Sequence, residues 1–154
     1  MHHPTNTLIG TFLMAAITGC STPNPTPGEE GAWFDEVRWK HRLMVVSGPS
    51  DDVGPQLAAG KATETGYLDR ELLLIDASRE PARLVVGSTD NLPRAATFRQ
   101  RFGMPEDTFQ VVLVGKDGGP KERRDQVFES SELFEIIDAM PMRIREMRED
   151  LDTD

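Results

Sequence analysis

Three uninterrupted apolar runs constrain this chain most: Leu43-Met44-Val45-Val46, Leu72-Leu73-Leu74-Ile75 and Val111-Val112-Leu113-Val114. A strand with one wet face alternates apolar and polar residues, whereas a strand covered on both faces does not. Each run is too short for a helix, so the three predict central strands of a sheet covered by helices on both sides. A further run, Leu84-Val85-Val86, ends at Gly87 and predicts an extra edge strand. After the third run comes Gly115-Lys116-Asp117-Gly118-Gly119-Pro120. Asp-Gly there signals a hairpin, because the favoured tight turn needs positive φ. The strand beyond it, Lys121 to Arg124, is highly charged, and charge guards an exposed edge against pairing with another chain.

Two helices are clear from the pattern. One is expected to start near Asp90 or Asn91, capped by those side chains, with Pro93 in its first turn. Leu92, Ala95, Phe98 and Phe102 form its apolar stripe, and Gly103 stops it. The last helix is expected from Ser130 or Ser131. It carries Leu133, Phe134, Ile136, Ile137 and Met140 inward before Pro141 kinks or ends it. A weaker helix lies between Gly54 and Thr65, where Gly60 and a poor apolar pattern oppose it. The element order predicts one α/β domain over residues 33–148, with a mixed four- to five-stranded sheet flanked by helices. Residues 149–154 read as a frayed acidic tail.

That order, with Arg101-Phe102-Gly103 before an apolar strand and Gly115 to Gly119 after it, resembles the thioredoxin-like superfamily. Trp39-Lys40-His41-Arg42-Leu43, Phe109 through Gly119, and Leu133-Phe134 with Asp138 through Arg143 look like the bacterial family called domain of unknown function 4174. The resemblance covers nearly the whole domain. It implies a thioredoxin-like fold and an exported context, and no established reaction. Redox-active thioredoxins carry C-x-x-C after the first core strand, at a helix N-terminus that lowers the thiol pKa. Ser47-Gly48-Pro49-Ser50-Asp51-Asp52 stands there in this chain. Thr108 stands where those proteins place a cis-proline. Thiol–disulfide exchange needs a thiolate, and this chain has one cysteine, Cys20.

The apolar stretch from Leu8 to Ile17 is too short to span a bilayer but suits a signal peptide. Ile17-Thr18-Gly19-Cys20 resembles the bacterial lipoprotein signal. That likeness implies cleavage of residues 1–19, lipidation of Cys20, and a membrane partner reached through the lipid. Two or more acyl chains anchor a protein firmly where one does not. Ser21 after the cysteine implies the outer membrane, facing the periplasm. The n-region departs from the pattern, having histidines and no lysine or arginine. An ordinary cleaved signal with Cys20 a bystander remains the alternative, giving a soluble periplasmic or secreted protein. Residues 20–32, with prolines on alternate positions, read as a polyproline tether.

The formal net charge of −9 opposes nucleic-acid binding and attachment to anionic bilayers through a basic patch. One cysteine and three histidines allow no internal disulfide and no zinc site of ordinary spacing. No cofactor or metal is expected. Asp51, Asp52 and Asp117 lack the spacing of a calcium loop. Ser47, Ser50 and Asp51 could form a nucleophile site with His41 as base, but no strained G-x-S-x-G turn supports one. Turn chemistry accounts for the same residues. Arg38, Trp39, Lys40 and Arg42, with Ser50 and Asp51, form a candidate patch for an envelope protein partner, Arg stacking on Trp39. The alternative packs Trp39 at the sheet's edge. Met140-Pro141-Met142-Arg143, Ile144 and Met147 read either as an adaptable apolar surface or as a helix closing the core. We expect no catalytic residue, and a module for binding or envelope maintenance. The competing expectation is an enzyme, with a thiol-independent site in the Ser47–Asp52 loop or a residual redox role.

Overall fold

The computed structural model describes residues 27–152. In chain order the elements are α1 (Pro27–Val37), β1 (Arg42–Ser47), α2 (Ser50–Ala62), α3 (Glu64–Asp69), β2 (Leu72–Asp76), β3 (Arg83–Val86), α4 (Ala95–Phe102), β4 (Gln110–Val114), β5 (Pro120–Arg124), α5 (Ser130–Asp138) and α6 (Pro141–Leu151). The five strands form one mixed sheet in the order β3-β2-β1-β4-β5. β1 and β2 are parallel, with Val45 opposite Ile75, and α2 and α3 make the crossover between them. β4 runs antiparallel to β1, with Val45 opposite Val112. β3 and β5 close the two edges in antiparallel pairs. The architecture is the α/β class expected, consistent with a thioredoxin-like fold.

The apolar runs are continuous because both faces are covered. Successive side chains of a strand point to opposite faces. Leu43, Val45, Leu73, Ile75, Val112 and Val114 pack with Trp33, Phe34 and Val37 of α1 and with Phe98 and Phe102 of α4. Met44, Val46, Leu72, Leu74, Val111 and Leu113 pack with Val53 of α2, Tyr67 of α3, and Leu133 and Ile137 of α5. Gln56, fully buried, pins the segment after β5 by donating to the Phe128 carbonyl at 3.2 Å and accepting from the Phe128 N–H at 2.6 Å.

Three boundaries differ from the sequence expectation. Residues 27–32, assigned to the tether, are the first turns of α1. Glu30 explains why they are ordered. Its carboxylate is buried and accepts from the Arg94 N–H at 3.1 Å, Arg94 Nε at 2.8 Å and the Thr97 hydroxyl at 2.8 Å. Secondly, α4 starts at Ala95 rather than near Asn91, which has a φ of 50° and sits in the preceding loop. Its free N–H groups are capped from a distance. The Glu80 carboxylate accepts from Ala95 at 2.9 Å and Ala96 at 2.7 Å. Thirdly, α5 ends at Asp138, and Pro141 opens α6. There the missing N–H costs nothing. Residues 149–151 are consequently helical rather than a frayed tail.

Candidate functional site

The loop after β1 is where the resemblance to thioredoxins would put an active site, and its first two residues, Ser47 and Gly48, hold the fold. Ser47 is completely buried, its hydroxyl within reach of the Ala77 carbonyl at 3.4 Å and the Pro105 carbonyl at 3.3 Å. Gly48 follows with a φ of +135°. A Cβ there would lie 2.6 Å from Phe109 Cα and 2.8 Å from Phe109 N. Only glycine allows so close an approach of two backbones. The Ser47–Asp52 loop and the Thr108 segment therefore meet in space. The cis peptide bond among the described residues is Glu80–Pro81, away from Thr108 in sequence.

Ser50 and Asp51 are exposed and open α2. Asp51 lines a shallow groove of about 530 Å³, whose walls also include Asp52, Asp107, Thr108 and Asp125. No group of three or more His, Cys, Asp or Glu able to hold a metal ion exists among the described residues. Asp117 is committed elsewhere. It accepts from Lys121 Nζ at 2.5 Å and from the Gly119 N–H at 3.1 Å. The Lys121 bond, the largest cause, holds its carboxyl below the usual range against a lesser effect of burial. His41 precedes β1, whereas Ser47 ends it. At about 3.3 Å per residue the two are roughly 20 Å apart. His41 therefore cannot serve as base to Ser47 or Ser50.

The same strand length divides the candidate binding patch. Arg38, Trp39, Lys40 and Arg42 lie at the head of β1, while Ser50 and Asp51 lie past its tail. The six residues form no single surface. Arg42 leaves the patch altogether, being 1% exposed. It donates to both Glu146 oxygens at 3.1 Å and to the Arg70 carbonyl at 2.9 Å. Trp39 is 57% exposed rather than packed at the sheet's edge. It turns the chain from α1 into β1 with a φ of 68°, its N–H donating to the Lys116 carbonyl at 2.7 Å. The Arg38 guanidinium sits 5.2 Å from its ring centroid. Lys40 is exposed beside them.

Sequence reasoning missed a buried ionic network at this end of the sheet. Lys116 pairs with Glu71 and, at 2.8 Å, with Glu146, which also holds Arg42. Burial alone would raise the Glu146 pKa, but the bonds from Arg42 and Lys116 outweigh it and hold the carboxyl below its ordinary value. Arg143 of α6 is buried and reaches Asp69 at 2.7 Å. Arg70 reaches Asp138 at 2.5 Å. The Met140–Met147 segment is thus a closing helix clamped by ion pairs. Met140, Pro141 and Met142 line a cleft of about 310 Å³ beside Arg42 and Lys116.

A further cavity, of about 260 Å³, opens between α1, α4 and the β4–β5 turn. Phe34, Arg38, His41, Arg101, Phe102 and Gly118 are among its walls. Arg101, absent from the sequence-based candidates, lies in the last turn of α4, where its charge reads simply as helix-end chemistry.

The family model described as Domain of unknown function (DUF4174) matches residues 33–146. That span runs from Trp33 in α1 to Glu146 in α6 and includes both loops and the ionic network. The sushi repeat-containing protein SRPX2 of Xenopus laevis is 27% identical over 131 residues, 80% of this chain and 28% of that protein. The chain thus spans little more than a quarter of that relative's length. No helix among the described residues is long and apolar enough to cross a membrane. Cys20, the signal segment 1–19 and residues 20–26 of the tether lie outside the described residues.

Proposed function

This chain belongs to the Domain of unknown function (DUF4174) family, and from that premise we propose that it is a thioredoxin-like module that acts by contact, without turnover, from a lipid tether in the bacterial cell envelope. The observation that carries the reading is the state of Ser47. The first residue of the loop where thioredoxins do chemistry is fully buried, its hydroxyl directed to backbone carbonyls. A hydroxyl so placed is not a nucleophile, because activation needs an adjacent base and an open path to substrate. Ser50 and Asp51 are open to solvent, but among the described residues no histidine lies within reach of them to act as base. The chain's single thiol, Cys20, lies in the lipoprotein-like Ile17-Thr18-Gly19-Cys20 motif. Acylation there would leave no thiolate for exchange.

Two experiments test the proposal. Labelled palmitate fed to cells expressing the chain should label it, and the Cys20→Ser variant should carry none. Label in both, or in neither, contradicts the tether. Cross-linking in intact cells, followed by capture from detergent-solubilised envelope, should return the same partner in repeated trials. A chain that captures nothing reproducible does not act by contact.

A further inference from the structure

We propose that the cavity between α1, α4 and the β4–β5 turn binds a small oxyanion, a carboxylate or a phosphate monoester, carried on a short apolar group. This deepens the contact reading by naming the chemistry of what is contacted.

The argument begins with charge. Around the sheet, arginines find carboxylates: Arg42 with Glu146, Arg70 with Asp138, Arg83 with Asp76, Arg94 with Glu30, Arg143 with Asp69. Arg38 and Arg101 do not. Both line this cavity, and neither pairs with a carboxylate among the described residues, in a chain of net charge −9. Each guanidinium instead lies over an aromatic ring, Arg101 at 4.2 Å from the Phe34 centroid and Arg38 at 5.2 Å from that of Trp39. Stacking fixes the plane of a guanidinium while its N–H edge remains available for a fork of bonds to an oxyanion.

The other charged walls are already neutralised. Asp117 is bonded to Lys121, and Lys116 is held by Glu71 and Glu146. The charge left facing the cavity is that of the two arginines. His41 lines the same space. Gly118, at a φ of +82°, makes the turn beside Arg38, a backbone conformation that favours glycine. Phe34 and Phe102 supply an apolar floor for the rest of the ligand. At about 260 Å³ the space falls just below the usual range for small-molecule pockets, which suits a compact ligand.

The test titrates the full chain with benzoate, phenyl phosphate and neutral benzyl alcohol, followed by calorimetry and by tryptophan fluorescence, Trp39 lying under Arg38. At least one anion should bind saturably and the alcohol should not. Which anion binds more tightly identifies the headgroup. Affinity should fall tenfold or more in Arg38→Gln and in Arg101→Gln, because each removes a charge-assisted bond. It should be unchanged in Arg79→Gln, an exposed arginine outside the cavity. Arg38→Lys, which keeps the charge and loses the fork, should fall between. Absence of saturable binding, or affinity undiminished in both glutamine variants relative to the unaltered chain, overturns the site while leaving the contact reading intact. Catalytic turnover by the chain overturns the contact reading and leaves the site standing.

Discussion

At the scale of the residue, Glu30 shows how a single carboxylate fixes a boundary that composition obscures. It lies in a stretch whose prolines, glycines and acids read as tether. Yet it is 3% exposed. The Arg94 side-chain bond, foremost, and the Thr97 bond lower its pKa to about 2 from an ordinary 4.5, against the opposing effect of burial. A depressed folded-state pKa stabilises the fold above the unfolded value, and the contribution is lost as pH falls. The loss should run from about pH 4.5 down through about 2. Glu30→Gln should cost about 1.5–3 kcal/mol at neutral pH, the range for bonds to a charged group. It should also flatten the acid limb of the stability curve, which thermal melts between neutral pH and pH 3 would measure. Gly48 makes the complementary case. It is legible in the sequence only as a turn former, but structurally it is the point where two loop backbones touch.

Among the elements, the strands were legible and the helix ends were not. Continuous apolar runs report burial on both faces, and all three became central strands. The edge strands were legible too, one from a short run ending in glycine and one from charge after a turn. Helix α1 escaped because proline and glutamate dominate its start, although Trp33, Phe34 and Val37 share one buried side. Helix α2 looked weak because of Gly60, whose reason is tertiary: a Cβ there would come 2.4 Å from Leu74 Cδ2. The start of α4 was misplaced because its cap, Glu80, lies in the loop after β2 and no local pattern encodes it. Glu80→Ala should cost about 1 kcal/mol, as loss of a helix cap does. Its signature should be faster hydrogen exchange at Ala95 and Ala96, with the amides of β1 unaffected.

For the whole molecule, two ends of one strand do different work. The tail of β1 enters a loop whose backbone is held by Ser47 and Gly48. The head of β1 enters a buried ionic network that ties α6 to the sheet through Arg42, Lys116 and Glu146. Charged residues in a sequence read as surface, so neither Arg42 nor Arg143 could be placed inside from pattern alone. The candidate patch failed as one surface for the same reason: residues close in sequence to β1 are separated by its length. Glu146→Ala should destabilise the chain by about 3 kcal/mol, because Arg42 remains buried without its carboxylate. The double variant Arg42→Met with Glu146→Leu should recover most of that loss. Urea midpoints of the three proteins would show it.

The proposal that organises these observations is that the chain acts by contact and carries out no thiol–disulfide exchange. Insulin reduction by purified, delipidated chain tests it most directly, with dithiothreitol as electron source and Cys20→Ser and Ser50→Ala variants alongside. The account predicts rates equal to buffer for all three proteins. Reduction above buffer that disappears in Cys20→Ser would contradict it by making the thiol active.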